Sequence, residues 1–258
     1  MNNYVLITGA STGIGYELAK VAAKDGFNLI IIARNQSKLE EAKTEIEKEF
    51  SVKVQVITAD LSDPQSSKNI FDIVEKNQWQ VDVLINNAGF ANNGRFDQID
   101  WQKEANQIQV NVATLVEMCH LFIPKMIQNK TGKILNVASI AGYLPGPFMA
   151  TYYATKAFVK SFSIAINEEL KDQGVSVSVL CPGPTKTEFF TRAKFNPEAP
   201  MMTAQKVAQI GWSGLLKEKP VIVAGVLNSI LVAIVAHLPQ TFLAWATTGF
   251  NKGIPVGK

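Results

Sequence analysis

Cysteine and histidine are scarce in this sequence: its 258 residues contain two of each, scattered along the chain. A zinc-type site needs several such ligands at close spacing, so we predict no metal site. The net charge is only +3, without a run of lysines or arginines. A basic patch of the kind that binds nucleic acid is therefore not expected, and the predicted partner is neither a metal ion nor a nucleic acid.

The N-terminus also does not look like a secretion signal. The stretch "MNNYVLITGA" has no basic lead, and its apolar run is too short for the core of a signal peptide. It predicts a first buried strand and a cytoplasmic protein. In that compartment thiols stay reduced, so Cys119 and Cys181 are expected to behave as small buried apolar residues and not as a disulfide.

Short β-branched runs alternate with helical patterns through most of the chain. With 47% apolar and 18% charged residues, the composition is that of an ordinary folded protein. The runs are apolar throughout, which predicts strands covered by helices on both faces. Alternation of strands and helices predicts a parallel sheet, and hence an α/β, doubly wound (Rossmann) three-layer sandwich. The predicted strands are 4–8, 28–33, 53–58, 81–85, 133–137, 176–180 and 221–223.

Helix starts carry their own signals. The first helix is expected to begin near Gly13. Ser37 followed by Glu40 has the spacing of a capping box, and Asp63 before Pro64 predicts a cap followed by proline at the first helical position.

A glycine-rich turn, "TGASTGIG" at 8–15, joins the first strand to the first helix. Glycines there let the backbone turn sharply and approach a diphosphate, whose charge is favoured by the amides at the helix N-terminus. The spacing of Gly9, Gly13 and Gly15 differs from the G-x-G-x-x-G of many dinucleotide folds. It resembles that of the short-chain dehydrogenases/reductases, T-G-x-x-x-G-x-G. This resemblance implies a seven-stranded parallel sheet of order 3-2-1-4-5-6-7.

The stretch "TYYATKAF" places two tyrosines before Lys156. On a helix, both side chains can reach the ammonium, so the spacing alone does not select one. The family carries a catalytic set of asparagine, serine, tyrosine and lysine, and Asn111, Ser139, Tyr152 and Lys156 match its order and its Y-x-x-x-K pattern. The resemblance therefore implies that Tyr152 is the reacting phenol, which leaves Tyr153 as a packing residue.

Carbonyl reduction needs a hydride on carbon and a proton on oxygen. A phenol titrates near pH ~10, and we expect the Lys156 ammonium to lower the pKa of Tyr152. The resemblance implies that Ser139 hydrogen-bonds the substrate oxygen, that Lys156 also holds the nicotinamide ribose, and that Asn111 fixes a water that relays protons.

The end of the second strand, "LIIIARNQ", has no acid to accept hydrogen bonds from the ribose of NAD. Arg34 stands there and can pair with a 2′-phosphate, so NADP(H) is preferred over NAD(H); a surface arginine capping the strand is the alternative. Asp60 is expected near the adenine, or as the cap of its turn. The resemblance places Pro182, Gly183 and Thr187 against the nicotinamide. The full predicted cofactor set is Gly9, Ser11, Thr12, Gly13, Ile14, Gly15, Arg34, Asp60, Leu61, Asn87, Ala88, Gly89, Tyr152, Lys156, Pro182, Gly183, Thr185 and Thr187.

Loops expected near the substrate are apolar, including "IAGYLPGPFMA" after Ser139 and the segment 188–202. They favour a hydrophobic carbonyl or alcohol, with ordinary packing as the alternative. From 220 to 251 there is no acidic or basic residue except His237. The length suggests a membrane span, but Gly225, Asn228 and Pro239 interrupt it. A strand followed by two short apolar helices is predicted, and these could cover the pocket, pair with another subunit or touch a membrane.

The sequence as a whole predicts one Rossmann-type domain over 1–258, with 186–218 as a substrate lid and 224–258 as an apolar C-terminal extension. The predicted function is NADP(H)-dependent hydride transfer to a hydrophobic ketone or aldehyde of 3-oxoacyl, steroid-like or other lipid-like type. The alternative is an NADP-binding regulatory or membrane-associated module without turnover. A homo-oligomer, dimer or tetramer, is expected, in the cytoplasm or at a membrane surface.

Overall fold

Seven strands form one parallel sheet in the computed structural model, which describes residues 3–189 and 201–252. They are β1 (Asn3–Thr8), β2 (Asn28–Ala33), β3 (Val54–Thr58), β4 (Gln80–Asn86), β5 (Gly132–Val137), β6 (Val175–Cys181) and β9 (Val221–Val223). Two short strands, β7 (Thr185–Lys186) and β8 (Met202–Thr203), pair separately. The order β3-β2-β1-β4-β5-β6-β9 confirms the predicted one, because β9 is the seventh strand of the main sheet.

Helices connect the strands and cover both faces of the sheet. They are α1 (Gly13–Lys24), α2 (Gln36–Glu49), α3 (Ser66–Lys76), α4 (Trp101–Ile108), α5 (Thr114–Gln128), α6 (Ala150–Leu170), α7 (Ala204–Leu216), α8 (Val226–Val235) and α9 (Gln240–Lys252). A π-helical turn, Gln109–Ala113, joins α4 to α5, and a short 3₁₀ turn, Ile140–Tyr143, follows β5. The predicted three-layer sandwich is confirmed.

The core lies on both faces of the sheet because successive strand residues point in opposite directions. Ile7 and Ile31 pack with α1, α2 and α7 on one face, whereas Leu6 and Ile30 pack with α3, α5 and α6 on the other. All four side chains are fully buried. This explains why the strand sequences are apolar throughout and do not alternate with polar residues.

Part of the predicted lid belongs to the core. Helix α7 packs along α1, with Val207, Ala208 and Leu215 buried and the indole Nε1 of Trp212 donating to Asp25 Oδ2 over 2.7 Å. One face of segment 204–216 is therefore part of the core. Residues 190–200 of the predicted lid and 253–258 of the predicted extension lie outside the described residues.

Both predicted helix caps are displaced. Helix α2 begins at Gln36, one residue before Ser37, because Asn35 has the extended backbone of a cap and accepts a hydrogen bond from Lys38 N over 3.0 Å. Asp63 accepts from Gln65 N over 2.9 Å within a turn, and α3 begins only at Ser66. At α2 the side chain before the sequence motif takes the cap position, whereas no side chain among the described residues caps α3.

The C-terminal extension contains the two predicted short helices, α8 and α9, separated at 236–239. Of the described helices, one is long and apolar enough to cross a membrane by length and composition, Trp101–Gln128. Its residues Leu115, Met118 and Phe122 are buried among the side chains of the sheet, so packing in the core accounts for its apolar character.

Candidate active site

A cleft of about 1780 Å³ opens at the carboxyl ends of the parallel strands. This is the edge at which open α/β sheets bind ligands. One end is formed by the glycine turn and the ends of β2 and β3. The other end is formed by the residues that follow β5, the start of α6 and the helices of the C-terminal extension.

The glycine turn has no room for side chains. Gly9 and Gly13 have φ angles of +67° and +63°, which favour glycine. A Cβ on Gly15 would lie 2.3 Å from the Gly9 carbonyl oxygen. The Asn87 amide secures the turn by donating to the carbonyls of Thr8 and Gly9, over 3.0 and 3.1 Å. The backbone amides at the N-terminus of α1 therefore stand close to the cleft, an arrangement that fits a diphosphate.

Two basic residues lie at the end of the cleft formed by β2 and β3. One was predicted, and sequence reasoning missed the other. Arg34 is exposed at the end of β2, and its charge helps to lower the pKa of Asp60. The larger influence on that carboxyl is a hydrogen bond from Ser62 N, so Asp60 does cap its turn while it lines the cleft. Lys38 was not singled out from the sequence; it also lines this end and pairs with Glu188 over 2.7 Å.

Asn111 lies in the π-helical turn between α4 and α5, almost fully buried. Its Nδ2 donates to Phe90 O over 3.0 Å and to Thr155 Oγ1 over 3.1 Å, while its Oδ1 accepts from Phe90 N over 3.1 Å. A π-helical turn inside a helix is frequent at functional sites. The asparagine is accommodated inside the helix because its side chain forms hydrogen bonds with the backbone N and O of Phe90 in the neighbouring loop.

Ser139 and Tyr152 meet at the edge of the sheet. Ser139 follows β5, and its Oγ accepts from Ala141 N over 3.1 Å and lies 3.3 Å from Pro182 O. Burial raises the pKa of Tyr152 above its usual range, and a hydrogen bond with Ser139 offsets part of that effect. The phenol is therefore protonated at neutral pH.

Lys156 is buried beneath the same edge, with 5% of its surface exposed. Its Nζ donates to Val137 O over 2.8 Å and lies 5.9 Å from the centre of the Tyr152 ring. Burial lowers the pKa of Lys156 to about 8. The predicted lowering of the Tyr152 pKa by Lys156 is wrong for this structure, because loss of solvent around the phenol is the dominant influence and acts in the opposite direction.

Tyr153 has a different environment from its neighbour. Its ring stands nearly perpendicular to that of Tyr152, with centroids 6.0 Å apart. A Cβ on Gly146 would lie 2.2 Å from the Tyr153 ring, so the loop after β5 rests directly on it. The contact supports the prediction that Tyr153 is a packing residue.

The loop after β6 reaches the glycine turn. Thr185 Oγ1 donates to Gly183 O over 2.9 Å, and the methyl group of Thr187 would be 3.1 Å from a Cβ on Gly13. Asn228 of α8 contacts Gly183 of this loop. A Cβ on Gly183 would lie 2.4 Å from Asn228 Nδ2.

Nearly all the predicted site residues line the cleft; Gly15 and Asn111 stand behind its surface. Sequence reasoning missed Asn228, Thr247 and Asn251, which reach the cleft from the C-terminal extension. The available signal was that they are polar residues within an otherwise apolar run. Among the described residues, no group of three or more histidine, cysteine, aspartate or glutamate side chains could hold a metal ion.

Comparison with known proteins gives a consistent result. The family model described as short chain dehydrogenase matches residues 3–197. A very-long-chain 3-oxoacyl-CoA reductase from Coprinopsis cinerea is 34% identical over 67% of this chain and 52% of its own length. A reductase of the same name from Bos taurus is 30% identical over 93% of this chain and 77% of its own. The chain thus spans about half the length of the fungal reductase.

One solved structure is similar over nearly the whole chain. The short-chain dehydrogenase from Sphingobium yanoikuyae, in complex with NADPH, superposes with a TM-score of 0.82. It is 29% identical, and the match covers 92% of this chain and 97% of the other.

Proposed function

Since this chain belongs to the short-chain dehydrogenase/reductase family, we propose that it is an NADP(H)-dependent oxidoreductase that reduces a hydrophobic ketone or aldehyde. The observation that carries the proposal is that Ser139, Tyr152 and Lys156 lie together on the cleft that also contains the glycine turn. Family membership supports binding of a nicotinamide cofactor. The cofactor preference, the substrate and the residue roles are the proposed part.

The residues present fit such a cofactor. The glycine turn would hold its diphosphate, and Lys156 its nicotinamide ribose, while Thr187 and the Pro182–Gly183 loop would border the nicotinamide. When bound, the cofactor supplies the hydride. All other steps concern protons and charges, which the chain's own side chains must manage.

In the proposed reduction, Tyr152 donates its phenolic proton to the carbonyl oxygen as that oxygen becomes an alkoxide. The raised pKa of Tyr152 keeps the proton in place until then. Ser139 Oγ, which bonds the phenol, would also bond the substrate oxygen and so align the two. The phenolate left behind is stabilised by the ammonium of Lys156, and proton transfer from solvent restores the phenol.

Arg34 and Lys38 support the preference for NADP(H). Both are cationic and line the same end of the cleft, where the ribose 2′-phosphate would lie. Charge-assisted bonds of a guanidinium to a phosphate are among the stronger hydrogen bonds in proteins. A second cation close by adds attraction that a 2′-hydroxyl cannot exploit. Because cells keep this cofactor mostly as NADPH, the proposed direction is reduction.

The other end of the cleft supports a lipid-like substrate. Its lining includes Phe90, Leu144, Met149, Phe189 and Leu231. Such a surface favours an apolar ligand held by a few polar groups. Two of the similar proteins are named very-long-chain 3-oxoacyl-CoA reductases. We propose a 3-oxoacyl, steroid-like or other lipid-like carbonyl as the substrate class.

The test is NADPH absorbance followed against aliphatic, aromatic, steroid and 3-oxoacyl thioester ketones. We expect oxidation with at least one bulky ketone, and a loss of about a thousandfold or more in kcat for Tyr152→Phe with NADPH binding near normal. Tyr153→Phe is the matched control and should retain turnover. An inactive Tyr153→Phe beside an active Tyr152→Phe would overturn the assignment. A wild-type protein that binds NADPH but reduces nothing in the panel would overturn the proposed activity.

We also propose that the enzyme is cytoplasmic and touches a membrane surface through the C-terminal extension. Val226, Leu227 and Trp245 are 76%, 79% and 74% exposed. An amphipathic interface of this kind binds lipid through its apolar face. Flotation with liposomes should be weakened by Trp245→Ser and unchanged by Trp101→Ser, a control that is 69% exposed elsewhere. Equal flotation of both variants would contradict membrane contact.

A homo-oligomer is proposed as well, as is common for this family. Helix α6 leaves Phe158 and Ile164 more than 40% exposed, which would suit pairing with a second copy. Light scattering after gel filtration should give a dimer or tetramer, and Phe158→Glu should shift it towards the monomer. A monomer for the unchanged protein would contradict this.

A further inference from the structure

We infer that α9 forms the roof of the substrate end of the cleft, and that Asn251 is a positioning residue for the substrate. The segment concerned is 144–149, called the substrate loop below, which lies between the 3₁₀ turn after β5 and the start of α6. The inference rests on the proposed function, because it needs a substrate beside Tyr152. It extends that function to a part of the chain beyond residues 3–197, which match the family model.

Two side chains of α9 hold the substrate loop from one side. Thr247 Oγ1 lies 2.7 Å from Pro145 O, which shares the one hydroxyl proton with Leu243 O of α9 at 2.8 Å, and Asn251 Nδ2 donates to Pro147 O over 2.8 Å. Each bond to the loop joins residues more than 100 positions apart. The carbonyls of these two loop prolines have no hydrogen-bond partner in a strand or helix of their own. The side chains of α9 supply the donors that water would otherwise provide. The loop is thereby tied to the last described helix of the chain.

Tyr153 holds the same loop from the other side. Its ring lies against Gly146, where no side chain would fit. Burial raises the pKa of the Tyr153 phenol, and a hydrogen bond with Asn251 offsets part of that effect. Asn251 therefore reaches both the loop and the tyrosine next to the proposed catalytic phenol. The substrate loop is clamped between α6 and α9.

The backbone of the clamped loop is strained. Phe148 has φ of +66°, an uncommon conformation for a bulky residue that is not glycine. Such a residue keeps that conformation only where surrounding contacts impose it. Here they include Asn251 on Pro147 O and Gly94 N on Phe148 O, the latter over 2.9 Å. Without the Asn251 contact, one restraint beside Phe148 is removed, and the loop keeps those from Thr247, Tyr153 and Gly94.

The burial of Asn251 also lowers the stability of the fold. It is 1% exposed, and its Oδ1 has no hydrogen-bond partner among the described residues. A buried acceptor without a partner destabilises a protein, so such a residue calls for an explanation other than stability. Thr247 and Asn251 both line the cleft, together with Tyr152 and Tyr153. Shaping the substrate end is the explanation that the geometry supports.

The expected kinetic signature is selective. Asn251→Ala should raise KM for a bulky ketone about fivefold to tenfold, the effect of one lost hydrogen bond. The kcat should change by less than about twofold, because Ser139, Tyr152 and Lys156 keep their own contacts. For a small ketone that does not reach the roof, KM should stay within about twofold. NADPH binding, measured by fluorescence, should be unchanged.

Matched variants separate this role from general damage to α9. Thr247→Val removes the second loop bond and should act in the same direction as Asn251→Ala. Thr248→Val is the control, because among the described residues Thr248 Oγ1 bonds Ala244 O of its own helix and nothing in the loop, and it should leave both KM values unchanged. Tyr153→Phe keeps the ring on Gly146 but removes the hydroxyl. If Asn251 acts partly through that hydroxyl, Asn251→Ala combined with Tyr153→Phe should be less damaging than the product of the single effects.

A second readout does not depend on turnover. Hydrogen–deuterium exchange of the peptide covering 143–149 should be faster in Asn251→Ala and Thr247→Val, and unchanged in Thr248→Val. An active wild-type protein whose Asn251→Ala variant keeps the same KM ratio and the same exchange overturns the inference. An equal loss for bulky and small ketones, with a fall in melting temperature, also overturns it. Absence of NADPH oxidation by the wild-type protein overturns the proposed function instead, and exchange alone then decides whether Asn251 holds the loop.

Discussion

Strand β2 and helix α8 are both built largely from aliphatic residues, but their side chains have opposite surroundings. Ile30, Ile31 and Ile32 of β2 are 0% exposed, whereas Ile230 and Ile234 of α8 are 52% and 56% exposed. β2 lies between β1 and β3 with helices on both faces, so every side chain has a neighbour. α8 follows the edge strand β9 and has the domain on one side only. Apolar composition thus leads to burial only where the topology supplies neighbours on every side.

The polar side chains of the glycine turn and of the C-terminal extension also have different roles. Around the glycine turn, polar side chains such as Asn87 hold backbone in place and leave room for a ligand. In the C-terminal extension, Asn228, Thr247 and Asn251 turn inwards to the cleft, while several apolar side chains, such as Ile230 and Trp245, face outwards. The nucleotide end of the cleft is therefore formed mainly by the backbone of the glycine turn. The substrate end is formed by side chains from helices near the end of the chain.

The largest expected contrast is between two isoleucines. Ile31→Ala should lower the free energy of unfolding by about 4 kcal/mol, because it leaves a cavity between two covered faces of the sheet. Ile234→Ala should change it by less than about 0.5 kcal/mol, since that side chain is more than half exposed. Urea denaturation measures both. Similar losses at the two positions would mean that α8 is covered in solution.

Substitution by alanine at two glycines should change the stability of the protein in opposite directions. Gly15→Ala should destabilise the protein by about 3 kcal/mol and abolish NADPH binding, because its Cβ would strike the Gly9 carbonyl and the Asn87 amide. A Cβ on Gly249 would meet no atom of the described residues within 4 Å, so Gly249→Ala should stabilise α9 by about 0.5–1 kcal/mol through helix propensity. Thermal melting and NADPH fluorescence measure the two effects. A tolerated Gly15→Ala would contradict the fit of a diphosphate at this turn.

A smaller effect is expected at the outer part of the nucleotide end. Arg34→Ala should weaken NADPH binding about tenfold to a hundredfold and leave NADH binding within about threefold, because only NADPH has the 2′-phosphate. Arg95→Ala is the control, as Arg95 is exposed and pairs with Asp97 away from the cleft. Equal losses for the two cofactors would reject the assigned preference.

The pH dependence tests burial at the catalytic edge. The pKa of Lys156 is lowered to about 8, so its charge is present below that pH and lost above it. In the proposed mechanism this charge stabilises the Tyr152 phenolate, so kcat/KM for reduction should be level up to pH 8 and then fall about tenfold per unit. NADPH binding measured over the same range separates this from loss of cofactor. A rate that stays level to pH 10 would show that Lys156 keeps its proton.

Seven strands could be located from the sequence because each is a short apolar run bounded by turn residues. The catalytic set could be proposed because the order of Asn111, Ser139, Tyr152 and Lys156 resembles that of the family, since spacing alone did not choose between Tyr152 and Tyr153. The caps were misplaced by one or more residues, since which side chain reaches a free amide depends on backbone angles. The predicted lid, 186–218, included segment 204–216 because no local pattern shows that one face of this helix packs on α1.

The sequence by itself determined the parallel sheet, the glycine turn and the order of the serine, tyrosine and lysine along one edge. These follow from local periodicity and from backbone angles that only certain residues adopt. Tertiary structure alone decided the direction of the Tyr152 pKa, the different surroundings of Tyr152 and Tyr153, and the reach of Asn251 over the substrate loop. Burial and contacts between residues more than 100 positions apart depend on how the layers pack, which no local pattern records.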